Sequence, residues 1–153
     1  MDTGIFKITI DEKGRFQVPS KLREIFERET YVLTYGVENC LQIIMENDFK
    51  LIKETINRSA ISMFDRNSRM LLRRFVAPAS EVVVDKSGRL SLPRALRDDV
   101  GLTSKSEGIL LNFGSFLEIW SSVNYKMMSE SAEIEEASAK LFSTLNEKQM
   151  REE

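Results

Sequence analysis

The sequence predicts an α+β fold: a small pseudo-twofold β-barrel built from two copies of one unit, with a helical insert between the copies and a helical tail. Three observations predict it. The first is an internal repeat. Asp11-Glu12-Lys13-Gly14-Arg15-Phe16-Gln17-Val18-Pro19, then Ser20-Lys21-Leu22-Arg23-Glu24, returns 74 residues later. The second copy reads Asp85-Lys86-Ser87-Gly88-Arg89-Leu90-Ser91-Leu92-Pro93, then Arg94-Ala95-Leu96-Arg97-Asp98. Two of the three prolines and two of the seven glycines fall on matched positions, so agreement by chance is improbable. The second observation is a switch of hydrophobic period from two to helical and back within each copy. The third is size: a unit of ~45 residues buries too little surface to be stable alone, but two can share a core.

The elements follow in order. Phe6, Ile8 and Ile10 alternate with Lys7 and Thr9, which is the pattern of a half-buried strand. Asp-x-x-Gly then makes a tight turn: Asp accepts backbone N–H bonds and Gly supplies positive φ. Phe16 and Val18 share one face of a short second strand. Pro19 suits the first turn of a helix, where its missing N–H costs nothing. Leu22, Ile25 and Phe26 form that helix's apolar stripe. Segments 31–35 and 41–45 read as a hairpin around Gly36-Val37-Glu38-Asn39. In the second copy Leu96 and Val100 line the helix and Gly101 caps it. Segments 108–113 and 117–120 make the matching hairpin around Gly114-Ser115. The organisation is therefore repeat 1 at 5–50, helical insert at 51–80, repeat 2 at 81–124 and an acidic helical tail at 125–153. In the tail Ile134, Ser138, Leu141 and Leu145 stand at near-helical spacing, over too short a run for a coiled coil.

Composition excludes several function classes. The chain has 153 residues, 42% apolar and 30% charged, a folded composition. It has no histidine, which removes Ser-His-Asp and Cys-His catalysis and most zinc sites. Its one cysteine, Cys40, can form no internal disulfide, and no chemical role is expected of it. Trp120 reads as core. No apolar run reaches the ~20 residues that span a bilayer, and no signal-peptide pattern opens the chain. Walker-type and G-x-G-x-x-G loops are absent, and the methionines do not cluster as ligands. The expectation is a cytoplasmic protein that is not an enzyme, with no metal, cofactor, small-molecule substrate or membrane.

Net charge is −2 and the pI about 5.4, which on average argues against nucleic acid. Position changes this. Residues 127–153 carry seven acidic and three basic residues, so residues 1–126 are net +2. Within them 85–97 is net +3 and 53–74 net +4. A duplex senses local field within a Debye length of ~8–10 Å, not the average.

Two D-x-x-G-R-[apolar]-x-[apolar]-P-x-x-L-R copies, an opening Met-x-x-Gly and a closing Leu117-Glu118-Ile119-Trp120 resemble the MraZ proteins, of the SpoVT-AbrB superfamily of bacterial transcription regulators. The resemblance covers residues 1–126. It implies a swapped-hairpin AbrB-type barrel with both halves from one chain. It also implies a homo-oligomeric ring, associated with the nucleoid. Such rings bind double-stranded DNA at short direct repeats, in the promoter of the cell-division and cell-wall gene cluster, usually as repressors. The family's Asp-x-x-x-Arg motif carries the DNA contact, which here places it at Asp11/Arg15 and Asp85/Arg89. The tail has no counterpart in this inference.

Each candidate has a bland reading beside the functional one. Arg15 and Arg89 follow a glycine turn, where arginine can grip phosphate or read guanine O6/N7 bidentately. Each could instead lock its turn by pairing with its own Asp; the repeat and the resemblance favour DNA. Asp11 and Asp85 are turn-builders, since a carboxylate facing phosphates is repelled. Gly14 and Gly88 are conformational. Lys13, Lys21, Lys86 and Arg94 are candidate phosphate contacts, or parts of a solvated face. Arg23 and Arg97 are candidates too, or bridge to carboxylates such as Glu27 or Asp98. Arg58, Arg66, Arg69, Arg73 and Arg74 make the insert basic, as a solvated or subunit-facing side of packed helices. The function read from all this is a sequence-specific DNA-binding transcription regulator. The alternative is an AbrB-like antitoxin or scaffold that binds a protein partner, with the acidic tail as its contact.

Overall fold

The structure is a computed structural model, and it describes residues 3–58, 61 and 63–152. Met1 of the opening motif and residues 59, 60 and 62 of the insert lie outside the described residues. The first repeat forms β1 (Gly4–Thr9), β2 (Arg15–Gln17), α1 (Ser20–Arg28), β3 (Tyr31–Tyr35) and β4 (Leu41–Met45). Helices α2 (Glu46–Arg58) and α3 (Arg66–Leu71) follow, and α3 runs into a π-helical turn over Leu72–Val76. The second repeat forms β5 (Ser80–Glu81), β6 (Arg89–Ser91), α4 (Arg94–Asp99), β7 (Glu107–Asn112) and β8 (Phe116–Ser121). Helices α5 (Ser122–Ser129) and α6 (Glu133–Glu152) end the chain.

The fold is mixed α+β on an antiparallel six-stranded sheet of order β1-β7-β8-β4-β3-β5. Exchanging the repeats maps this order onto itself, with the β4–β8 pair at the centre. Neither repeat's first strand lies beside its own hairpin. Strand β1 pairs with β7 of the second repeat, Phe6 opposite Leu110, and β5 pairs with β3 of the first, Leu33 opposite Ser80. The short strands also pair across the repeats: β2 and β6 form a separate antiparallel ribbon with Phe16 opposite Leu90.

The cross-pairing explains how two small units share one core. Ile10, Phe16, Val18, Leu33, Leu41 and Ile43 from the first repeat meet Leu90, Leu102, Leu110, Leu117 and Ile119 from the second, all fully buried. A smaller cluster of Cys40, Leu111 and Trp120 is covered by Tyr125 and Met128 of α5. Leu110 and Leu111 are neighbours on β7, as Ile119 and Trp120 are on β8, so the two clusters occupy opposite faces of the sheet. Burial pushes the Cys40 thiol up to about 12, leaving it protonated and unreactive near neutrality.

Local chemistry sets the helix limits. Pro19 and Pro93 stand one place earlier than expected, in extended conformation at the cap rather than inside the first turn. Gly101 adopts φ +78° after α4, and the Leu102 N–H bonds the Arg97 carbonyl at 2.8 Å, closing the helix as a glycine C-cap does. No described helix is long and apolar enough to cross a membrane.

Candidate nucleic-acid interface

The two Asp-x-x-Gly-Arg segments form the same turn twice. In the first, Asp11 Oδ1 accepts the backbone N–H groups of Lys13 and Arg15, each at 2.9 Å, and Oδ2 accepts Arg15 Nε at 3.0 Å. In the second, Asp85 Oδ1 accepts from Ser87 at 2.9 Å and Arg89 at 3.0 Å, and Oδ2 accepts Arg89 Nε at 3.2 Å. Gly14 and Gly88 sit at φ +78° and +79°, in the left-handed region. The Arg15 backbone N–H first, and then its guanidinium, hold the Asp11 carboxyl below the usual carboxylate range. Arg89 does the same for Asp85, again chiefly through its backbone N–H.

Both carboxylates therefore organise a turn and fix the root of an arginine. Each arginine spends Nε on its own aspartate, so the turn-locking pair expected from the sequence is present. That pair leaves the terminal nitrogens. In Arg89 they have no hydrogen-bond or ion-pair partner among the described residues, and the side chain is 38% exposed. Arg15 is 22% exposed, and its Nη1 lies 3.8 Å from Asp85 Oδ2 of the other turn. The β2–β6 ribbon thus sets the two arginine turns side by side.

Lys13, Lys21 and Lys86 are exposed and make no ion pair among the described residues. Arg94 is exposed, 3.5 Å from Asp98. Arg97 departs from the expected pattern. It is buried, with Nη1 3.8 Å from Asp98 and 3.5 Å from the Leu102 carbonyl oxygen, so it is not placed to meet a phosphate. Arg23 is exposed, and its Nε donates to the Val18 carbonyl at 3.3 Å rather than to Glu27. The insert is rearranged as well. Arg74 turns inward, onto the carbonyls of Gly36 and Glu38, while Arg66 and Arg73 stay exposed.

Sequence reasoning missed three contributors, Gln17, Ser104 and Lys105. Gln17 Nε2 donates across the ribbon to the carbonyls of Ser87 at 2.9 Å and Gly88 at 3.2 Å. Lys105 pairs with Glu12 at 3.3 Å and Ser104 Oγ donates to the Glu12 carbonyl, tying the first turn to a second-repeat loop. Repeat matching does not find Gln17, because the matched position 91 holds a serine, and Ser104 and Lys105 lie outside the matched motif.

Comparison with known proteins agrees with this architecture. The family model described as "MraZ protein, putative antitoxin-like" matches twice, over residues 1–74 and 75–146. A "Transcriptional regulator MraZ" of Treponema denticola is 39% identical over 130 residues, covering 84% of this chain and 88% of that protein. Relatives of the same name from Treponema pallidum and Natranaerobius thermophilus are 35% and 34% identical. They cover 81% and 86% of this chain, and 81% and 91% of their own lengths. Two family matches in tandem, on a chain whose two repeats complete each other's sheet, place it plainly: the chain belongs to the MraZ family.

Proposed function

We propose that this chain regulates transcription by binding double-stranded DNA through the surface centred on the β2–β6 ribbon. The observation that carries the reading is the pairing of two equivalent Asp-x-x-Gly-Arg turns on one ribbon, with Arg15 Nη1 3.8 Å from Asp85. Arg15 and Arg89 read bases or grip phosphate, and Asp11, Gly14, Asp85 and Gly88 hold them in place. Lys13, Lys86, Lys21 and Arg94 contact phosphates around them. The relatives' name, transcriptional regulator, supports the regulatory role.

The finer features belong to the same reading. The cross-repeat pairing of β1 with β7 and β3 with β5 supports a swapped-hairpin barrel, one half from each of repeats 5–50 and 81–124. Several copies form a ring, using apolar residues the insert leaves exposed, such as Leu51, Phe64 and Leu71. The ring engages direct repeats in a cell-division promoter on the nucleoid and represses it.

Selection of bound duplexes from a random pool, read for repeat spacing, tests the proposal. Evenly spaced short repeats are expected. In the R15A/R89A double variant, affinity for the selected duplex should fall by at least about tenfold per arginine, with the thermal unfolding profile kept. An unchanged gel shift would overturn the assignment. A second reading, as a partner-binding antitoxin or scaffold, is favoured by one observation: α6 exposes Ile134, Leu141, Phe142 and Leu145 on a helix with no buried residue.

A further inference from the structure

Each glycine turn is completed by the opposite repeat. The Leu92 N–H donates to the Gly14 carbonyl at 3.0 Å, and the Val18 N–H donates to the Gly88 carbonyl at 2.8 Å. Above these bonds lies a side chain, again from the other repeat. A Cβ added to Gly14 would stand 2.7 Å from Arg97 Cζ and 2.9 Å from its Nη2. A Cβ added to Gly88 would stand 2.7 Å from Arg23 Nε and 2.8 Å from its Cζ. Both guanidinium groups therefore lie directly on a glycine that no other residue type could replace without moving them.

The two arginines occupy matched positions, each after the helix leucine of its repeat, and they cross over. Arg97 of α4 covers the turn that carries Arg15, and Arg23 of α1 covers the turn that carries Arg89. Neither is spent on a strong carboxylate pair. Arg23 Nε donates to Val18 O, and Arg97 Nε is buried without any hydrogen-bond partner among the described residues. Leaving a guanidinium nitrogen unbonded in the interior is costly. The same guanidinium stays packed against Gly14.

We propose that Arg97 and Arg23 are positioning residues, each fixing the arginine-bearing turn of the opposite repeat by laying its guanidinium on that turn's glycine. This rests on the DNA reading above and adds a consequence. The two DNA-facing arginines are set by residues of the other half, so neither repeat can present its arginine alone. The halves are not equally dependent. Gln17 also bonds Ser87 and Gly88, so the second turn keeps an anchor when Arg23 is lost, while the first relies on Arg97 and the Glu12 contacts.

The test uses the full chain with R97M and R23M, and reads the two turns separately without DNA. NMR follows the Arg15 and Arg89 Nε–H resonances and the titration of the Asp11 and Asp85 carboxyls. In R97M the Arg15 resonance moves and the Asp11 midpoint rises, because the Arg15 N–H groups that hold its carboxyl low are no longer fixed. Arg89 and Asp85 stay in place. In R23M the pattern reverses, with a smaller amplitude. Arg97 is buried, so the folding of R97M is checked first by its thermal unfolding profile; if it does not fold, R23M at an exposed position decides alone. Changes on the turn of the same repeat, or equal changes on both, would overturn the proposal. With the selected duplex, R97M should weaken binding about tenfold and add little to R15A, since both act through one contact. A crosswise NMR pattern in a chain that binds no duplex supports the positioning and removes the DNA reading, so the two fail separately.

Discussion

Gly14 and Gly101 share one backbone conformation, φ +78°, but not one environment. A Cβ at Gly101 meets nothing nearer than Ser121 Oγ at 3.5 Å, an ordinary contact. At Gly14 it would collide with the Arg97 guanidinium. Comparing the two separates backbone strain from steric exclusion. Gly101→Ala should cost about 1–2 kcal/mol, the strain of a left-handed residue with a side chain. Gly14→Ala should cost about 1–3 kcal/mol more, as overpacking does. Urea unfolding of both variants measures the difference; equal losses would mean that Arg97 swings aside freely. The turn role of Gly14 was legible from Asp-x-x-Gly itself. The second constraint was not, because Arg97 reaches Gly14 only once β2 has paired with β6. The same long-range pairing hid the burial of Arg97, which by its local pattern resembled any basic residue on a helix.

At the scale of elements, the insert shows how charge alone misleads. Five arginines between 58 and 74 look like one basic surface. They part ways where α3 passes into the π-helical turn, in which the Ala77 N–H bonds the Leu72 carbonyl: Arg66 and Arg73 stay exposed and Arg69 donates to the Met63 carbonyl at 3.1 Å. Arg74 is an anchor. It donates to Gly36 O at 3.0 and 2.8 Å and to Glu38 O at 2.9 Å, and lies 4.6 Å above the Tyr35 ring. Thr34 Oγ1 donates to Phe75 O at 2.8 Å beside it. These contacts dock the insert on the β3–β4 hairpin. Arg74→Met removes charge-assisted bonds and takes both Arg74 donors from the Gly36 carbonyl, while the Glu38 carbonyl keeps the Cys40 N–H at 2.8 Å, so a loss of about 2 kcal/mol is expected in chemical denaturation. Arg73→Met, at an exposed side chain with no polar partner among the described residues, should stay within about 0.5 kcal/mol of the parent. Similar losses for both would dismiss the anchor.

For the whole molecule, the repeat made the pseudo-twofold legible, and with it the strands, the helices and the shared core. It did not show which strand pairs with which. Phe6–Leu110 and Leu33–Ser80 pair across the repeats, and period-two patterning is blind to the identity of a neighbour. The structure also moves the boundary that matters for charge. Tyr125 and Met128 of α5 pack on the Trp120 cluster, with the Tyr125 ring 6.3 Å from Trp120, so this part of the tail belongs to the folded body. The separable piece is α6, which has no buried residue. Residues 133–153 hold six acidic and three basic residues, so a chain ending at Ala132 changes from net −2 to net +1. That truncation distinguishes the two functional readings. If the ribbon binds DNA, the shortened chain should hold the selected duplex at least as tightly as the full chain. Its non-specific binding should strengthen at low salt, where an acidic tail repels phosphates over a Debye length that reaches ~30 Å at 0.01 M. If α6 is instead the binding element for a protein partner, truncation abolishes partner capture, and the full chain shows no salt-dependent affinity for the duplex. Fluorescence anisotropy with both chain lengths across a salt series, on one labelled duplex, gives the answer, and a truncated chain that loses the duplex would assign α6 a direct part in DNA binding that its charge argues against.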